Sequence, residues 1–312
     1  MSHENVSHHI AAFEELIGRE AILRSVDELA AYQTPARGSA GRAFAVARPA
    51  STKQLSDLIA YCAKENIHVV PQGANTGLVE GSTPNNQPAS LVVSSERLNN
   101  VLEIDPLERT ARVSAGVRLS QINAAAEKFG LFFPIDLGAD PTIGGMLATN
   151  TGGARFICYG GVRENTLAVT AVLGNKQGSV TEFGKGLRKD NSSIDFKQIL
   201  IGSGGAYAFI CECILSLAVI PRRRQTALLV PSNDDVIIEI LRRAELEFGP
   251  SLSAFEFMSA AAMRAALSHQ TSLRDPFSGN PPEHALLIET ASTQPLREGE
   301  ISTDSMGLQQ FC

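Results

Sequence analysis

The stretch Pro71–Pro84, PQGANTGLVEGSTP, decides how the rest of the chain is read. Gly73, Gly77 and Gly81 recur every fourth residue, with Asn75, Thr76, Ser82 and Thr83 close by. A short apolar run, Ile67 to Val70, comes just before it. Glycine adopts positive φ and lets the backbone approach a ligand closely. Successive backbone N–H groups in such a loop form a concave nest for an anion. Asn75 and Thr76 are expected to add side-chain donors. The loop has no lysine, which suits a phosphate already carried by a bound cofactor. A glycine-rich surface turn is the competing reading of this stretch alone, because short glycine motifs also match by chance.

On the N-terminal side, Ser51-x-x-Gln54 fits a capping box and opens a helix with Leu55, Leu58, Ile59 and Cys62 on one face. Ala43–Val46, Ile67–Val70 and Leu91–Val93 read as short strands, which gives a small mixed α/β lobe. Residues 1 to about 40 read as helical and peripheral, with His8 and His9 in a solvated terminus. Further along, Val101–Ile104 and Thr110–Ser114 flank Asp105-Pro106 as a hairpin. Arg118–Phe129 is an amphipathic helix that Gly130 stops. A second glycine cluster follows, FPIDLGADPTIGGMLATNTGG over Phe133–Gly153. So many glycines cost chain entropy on folding. A run of small residues, Gly, Ala and Thr, leaves room for a ring system, and two turns around a short helix are the alternative. Leu167–Leu173 and Ser179–Phe183 form a second hairpin, and the glycines at 202–205 precede an extended apolar stretch. After Pro221 the pattern changes to strand Ala227–Val230, helix Asp234–Phe248, strand Phe255–Met258, an alanine-rich helix opened by Ser259, and strand Ala285–Ile288. Thr293–Cys312 loses periodicity.

The bulk numbers narrow the function classes. The chain has 312 residues, enough for about two domains. A net charge of −6 argues against nucleic acid as a main partner, and Arg222–Arg224 is too short a basic run to change that. Those arginines are expected on a solvated face. No apolar run is long enough for a transmembrane helix. The amino terminus has no signal-peptide core, so a cytoplasmic location is expected. The cysteines Cys62, Cys158, Cys211, Cys213 and Cys312 are odd in number and scattered, which suits buried free thiols rather than disulfides or a metal site. Gly202-x-Gly204-Gly205 is not a dinucleotide fingerprint, because position 207 is Tyr207 and no helix follows. Gly178–Lys185 only loosely resembles a P-loop, and neither G-x-S-x-G nor H-E-x-x-H occurs.

Taken together, PQGANTGLVEGSTP, PTIGGMLATNTGG and RKDNSSIDFKQILIGSGGAYAFI resemble, in order and spacing, the FAD-linked 2-hydroxyacid dehydrogenases. These are the D-lactate, glycolate and D-2-hydroxyglutarate dehydrogenases of the vanillyl-alcohol-oxidase type. The resemblance implies an α+β fold: a two-lobed FAD-binding domain of the vanillyl-alcohol-oxidase (PCMH) type, then a partial α/β substrate domain. The implied divisions are an N-terminal helical segment 1–40, an FAD-binding domain 41–221 and a truncated substrate domain 222–312. It also implies FAD as cofactor, with Gly73, Ala74, Asn75, Thr76, Gly77 and Leu78 on the pyrophosphate. Pro134, Asp136, Thr142, Gly144, Gly145, Ala148, Asn150, Gly152 and Gly153 would line the adenosine and isoalloxazine side, and Gly205 and Ile210 would lie near flavin and adenine. Valine at Gly77 would then weaken FAD binding, through a disallowed φ or a Cβ pushed toward the phosphate.

There are departures. Ala74 stands where the family often has glycine, and Glu80 must point away from a pyrophosphate. The family's Gly-Ser-Glu-Gly-Thr is Gly202, Ser203, Gly204, Gly205, Ala206 here. No histidine follows the first loop, so non-covalent FAD is expected. The family's later Trp-x-x-Arg-Glu, Lys-x-Asp and histidine-rich segments are not found, and the chain contains no tryptophan. The resemblance therefore implies a truncated or frame-shifted member, with no catalytic residue assigned and no metal ligand set. The implied activity is hydride transfer from a small 2-hydroxyacid to flavin, with a quinone, cytochrome or flavoprotein as electron acceptor. A flavin-binding remnant without turnover is the alternative, and a MurB-like reductase is a more distant one.

Overall fold

The structure, a computed structural model, describes residues 3–85, 90–192, 194–270 and 272–294. The fold is α+β, and its contacts divide it into two units. The first unit holds the residues up to Phe133 with Leu137–Thr151 and Gly161–Ala218. The second holds Pro134–Asp136, Gly152–Gly160 and the residues from Val219 onward.

The first unit opens with α1 (His3–Ile17), β1 (Ile22–Leu23) and α2 (Val26–Gln33). A capping box starts α2: Ser25 Oγ accepts from the Glu28 N–H, and Glu28 Oε2 accepts from the Ser25 N–H. Then come β2 (Ala43–Ala47), α3 (Thr52–Lys64), β3 (Val69–Gln72) and β4 (Ser90–Ser94). They form a sheet of order β1-β2-β4-β3, in which β2, β4 and β3 run parallel and β1 is antiparallel. Val92 lies in register with Val46 and Val70, and these three pack with Leu29 of α2. Leu91 and Val93 point the other way, into a core with Phe13 of α1 and Leu55 and Leu58 of α3. A strand buried on both faces needs this unbroken apolar sequence.

The amino-terminal helix is therefore not peripheral. Phe13 is fully buried, and His9 is buried with its Nδ1 3.0 Å from the Tyr61 hydroxyl. At α3, Ser51 Oγ accepts from the Gln54 N–H at 3.2 Å, while Gln54 Oε1 accepts from the Ala50 N–H at 2.8 Å, one residue earlier than a reciprocal box would have it. Ser51→Ala should lower stability by about 1 kcal/mol, the usual loss of an N-cap. Urea denaturation with an unchanged midpoint would contradict that.

The second sheet is built from β5 (Leu102–Asp105), β6 (Thr110–Ser114), β8 (Thr166–Leu173), β9 (Val180–Phe183) and β10 (Ala208–Ser216). It is antiparallel throughout, in the order β5-β6-β10-β8-β9. Between its strands in sequence lie α4 (Leu119–Glu127), β7 (Leu131–Phe132), α5 (Ile143–Thr149) and α7 (Lys197–Leu200). Cys211, Cys213 and Leu215 are buried on one face of β10, and Glu212 on the other pairs with Arg112 at 2.6 Å.

The second unit carries α6 (Phe156–Tyr159), then, after β11 (Ala218–Val219), β12 (Arg223–Leu229), α8 (Asp235–Phe248), β13 (Leu252–Ser259), α9 (Ala260–His269) and β14 (His284–Ser292). Its antiparallel sheet has the order β12-β14-β13. Ala244, Ile240 and Leu241 of α8 pack against Ala227, Leu252 and Ile288. Burial pushes the Cys62 thiol up to about 12 and the Cys211 thiol to about 11, as expected of inert buried thiols. Cys312, and the aperiodic tail from residue 295 onward, lie outside the described residues.

Candidate cofactor-binding site

The first glycine loop leaves β3 at Gln72, whose side chain is buried. Gln72 Nε2 donates to the carbonyls of Tyr32 (2.9 Å) and Ser82 (2.6 Å), which fixes both ends of the loop. Asn75 takes the left-handed conformation at φ 53°, which asparagine tolerates better than most residues. Its Nδ2 donates to Thr34 O (2.9 Å) and Ala31 O (3.3 Å), and its Oδ1 accepts from Ser82 Oγ at 3.0 Å. The Asn75 side chain is thus spent on the protein, contrary to the expectation that it adds a donor for a ligand. The backbone N–H groups are different. Among the described residues, none from Gly73 to Leu78 donates a hydrogen bond to the protein. Thr76, Gly77 and Leu78 are exposed. Glu80 lies against the backbone of Gly38, to one side of the loop.

The three glycine motifs converge within the first unit. A Cβ on Gly73 would overlap Thr142 Oγ1 and come 3.4 Å from Gly145 Cα. Gly144 and Gly145 lie inside α5, and a Cβ on Gly144 would be 2.6 Å from the Ala115 Cβ. At the other end of α5, Gly204 N–H donates to Ala148 O (2.8 Å) and Gly202 N–H to Leu147 O (2.9 Å). The third motif therefore caps the helix made by the second, and Asn150 ends that helix at φ 49°. Gly205, at φ +80°, lies so close to Pro71 that a Cβ would be 2.5 Å from the proline Cγ. Ile210 is buried in β10, opposite Ala171.

A cavity of about 360 Å³ opens beside the convergence. Gly73, Ala74, Asn75 and Thr142 form part of its wall, with Tyr32, Glu96, Arg118 and Gln121. Thr142 Oγ1 is buried and has no hydrogen-bond partner, although Thr142 stands at the N-cap position of α5. Buried polar atoms are normally satisfied, so an orphan on a cavity wall marks where a polar ligand atom belongs. Tyr32 donates to Glu96 Oε2 at 2.8 Å, and Arg48 donates to Glu96 Oε1 at 3.0 Å. Burial, with Glu96 alongside, pushes the Tyr32 hydroxyl up to about 12, so it stays a donor through the neutral range. A second, more apolar cavity of about 200 Å³ includes Pro71, Gly205 and Tyr207 on its wall. A row of free N–H groups, an orphan hydroxyl and glycines that admit no side chain fit a cofactor bearing a pyrophosphate.

The second unit holds the other expected residues, Pro134, Asp136, Gly152 and Gly153. A Cβ on Gly153 would be 2.6 Å from the Asp136 carbonyl oxygen, so the two segments touch backbone to backbone. The Asp136 carboxylate pairs with Arg155 at 2.9 Å. Arg155 also grips Glu289 through Nε (2.8 Å) and Nη2 (3.2 Å). Ser253 donates to Glu289 at 2.7 Å, and Arg224 Nε lies 3.5 Å from it. Burial pushes the Glu289 carboxyl up, but the hydrogen bonds from Arg155 and Ser253 and the nearby guanidinium charges outweigh it and hold it below the usual range. Arg224 therefore faces a carboxylate as well as solvent. His284 pairs with Asp234 at 2.5 Å and rests on the Phe257 ring. Gln72, Tyr32, Glu96, Arg155 and Glu289 were not singled out from the sequence.

Among the described residues, no group of three or more His, Cys, Asp or Glu is placed to hold a metal ion, and no helix is long and apolar enough to cross a membrane. Residues 43–184 match a family described as an FAD binding domain. The chain is 30% identical over 292 residues to the probable mitochondrial D-2-hydroxyglutarate dehydrogenase of Oryza sativa subsp. indica, covering 92% of this chain and 51% of that protein. It is 34% identical over 262 residues to the mitochondrial D-2-hydroxyglutarate dehydrogenase of Bos taurus, covering 83% and 47%. The chain spans about half the length of these curated relatives. Its fold is similar to that of p-cresol methylhydroxylase, with a TM-score of 0.74 at 14% identity, covering 99% of this chain and 65% of the other.

Proposed function

Because residues 43–184 match a family described as an FAD binding domain, we propose that the chain is an FAD-binding oxidoreductase module acting on a small 2-hydroxyacid. The observation that carries the proposal is the meeting of Gly73, Thr142 and Gly145 beside unsatisfied backbone donors. The backbone N–H groups from Gly73 to Leu78 take the pyrophosphate, and Thr142 Oγ1 donates to the same anion. Neither needs a lysine, because preorganised backbone dipoles stabilise the charge. Gly144, Gly145, Ala148, Asn150, Gly205 and Ile210 shape the walls around the cofactor. The expectation that Pro134, Asp136, Gly152 and Gly153 face the flavin belongs to the same proposal; Asp136 would do so through its backbone, since Arg155 holds its carboxylate. FAD, when bound, supplies a hydride acceptor, and the protein's part is orientation and exclusion of water. The substrate class follows from the names of the rice and bovine relatives. A quinone, cytochrome or flavoprotein as electron acceptor, the divisions at 40/41 and 221/222 and a cytoplasmic location are part of the proposal too, supported by the sequence pattern alone.

The test has two stages. The purified chain is expected to quench FAD fluorescence on titration and to release the flavin into the supernatant on acid precipitation. A folded protein that gains no flavin signal would overturn the reading. The loaded protein is then mixed anaerobically with D-2-hydroxyglutarate, D-lactate and glycolate while flavin bleaching is followed. Bleaching by one of them supports the substrate class. FAD binding without bleaching by any would replace the proposal with a flavin-binding module lacking its own turnover.

A further inference from the structure

The larger cavity carries one carboxylate, Glu96, besides the guanidinium of Arg118, and an anion site alone does not explain that carboxylate. Glu96 lies on the cavity wall with a side chain 39% exposed. The carboxylate is held on both oxygens, Oε2 by the Tyr32 hydroxyl and Oε1 by Arg48. Arg48 is itself fixed, donating from Nη2 to the Glu20 carbonyl at 2.8 Å. A carboxylate has about four acceptor positions, so two donors leave it free capacity. That capacity is purely accepting: it suits hydroxyl or amino donors and repels a second anion. The same cavity bears the N–H groups of Gly73 and Ala74 and the orphan, buried Thr142 Oγ1. One cavity therefore offers donors for an anion and an oriented acceptor for neutral donors.

We propose that Glu96 is a specificity-determining residue, which takes the hydroxyl groups carried next to a phosphate in the ligand, so that the cavity selects a polyhydroxylated phosphoester. The proposal rests on the reading that the Gly73 loop takes the phosphate of FAD. Two parts of FAD carry this chemistry: the ribose of its ADP half and the ribityl chain of its FMN half. Tyr32 and Arg48 act through Glu96 by fixing its orientation, as a carboxylate in a dinucleotide fold is fixed for a ribose.

The test is calorimetric titration of the apoprotein, wild type and Glu96→Gln, with FAD, ADP, FMN and 2′-deoxy-ADP. Loss of a charged hydrogen bond is expected to weaken FAD by on the order of tenfold. If the ribose is the group held, Glu96→Gln weakens ADP similarly, leaves FMN unchanged, and wild type prefers ADP to 2′-deoxy-ADP. If the ribityl chain is held, FMN weakens and ADP does not. The comparison of ADP with 2′-deoxy-ADP, and of FMN with an N10-(5-phosphopentyl) flavin that lacks the chain hydroxyls, needs no variant and keeps the test valid if Glu96→Gln fails to fold. Unchanged affinity for every ligand, with no discrimination against the deoxy forms, overturns the role of Glu96 while FAD binding stands. A wild-type protein that binds none of them overturns the underlying FAD reading instead.

Discussion

Gly73→Val is expected to lower FAD affinity by roughly 100-fold or more, the equivalent of about 3 kcal/mol. The first Cβ atom already overlaps Thr142 Oγ1, and valine adds two methyl groups against the backbone of Gly145. Overpacking of this kind costs about 1–3 kcal/mol, and it displaces the loop to which the proposed function assigns the pyrophosphate. Thr142→Ala removes the overlapping oxygen, so the double variant Gly73→Ala/Thr142→Ala should be more stable than the sum of its parts. Thermal melting checks that coupling, and fluorescence titration with FAD checks the affinity. Wild-type affinity in a folded Gly73→Val protein would remove the loop from the cofactor site. Gly77 is the contrast. It is outside the left-handed region, and a Cβ there meets nothing within 4 Å. The strain expected from the sequence is absent, so Gly77→Val should melt like the wild type, and any loss of FAD affinity would report contact with the ligand alone.

Arg155→Met is expected to destabilise the second unit by about 3 kcal/mol. Removing one partner of a buried ion pair usually costs about 3–5 kcal/mol. Glu289 is only 9% exposed at its side chain, but Ser253 and Arg224 remain beside it, so the lower end applies. The effect is pH-dependent. The folded-state pKa of Glu289 lies below the ordinary value of 4.5, because the hydrogen bonds outweigh burial. Its contribution is therefore fully present above 4.5 and is lost as pH falls through the depressed folded value. The difference in melting temperature between wild type and Arg155→Met should be largest near neutral pH and shrink in acid. A difference that does not vary with pH would mean that the arginine acts by packing alone.

Local patterns were legible in the sequence because their causes are local. Ser51 and the spacing of Leu55, Leu58, Ile59 and Cys62 define α3, and β4 is written in three consecutive apolar residues. The glycine loop stood out for the same reason, and the anion nest read from it remains part of the proposed function. The role of Asn75 was not, because its partners Ala31 and Thr34 lie about forty positions away. Tyr32 and Glu96 belong to no motif, and only the fold brings them together across 64 positions. Gly144 and Gly145 lie inside a helix although glycine disfavours a helix interior by about 1 kcal/mol. Close approach of α5 to Ala115 overrides that preference. The burial of Phe13 shows the limit of periodicity, which gives a helix its apolar face without saying what will cover it.

The pairing of Arg155 with Glu289 spans 134 positions, and Asp136 joins it from still earlier in the chain. On a ribosome these groups emerge in a fixed order. At roughly 5–20 residues per second, the guanidinium waits on the order of ten seconds for the carboxylate that will cover it. Through that interval the nascent segment 152–160 carries Arg155 with only Asp136 to pair with it. Pausing translation before codon 289 lengthens the interval in which the second unit lacks its Arg155–Glu289 pair.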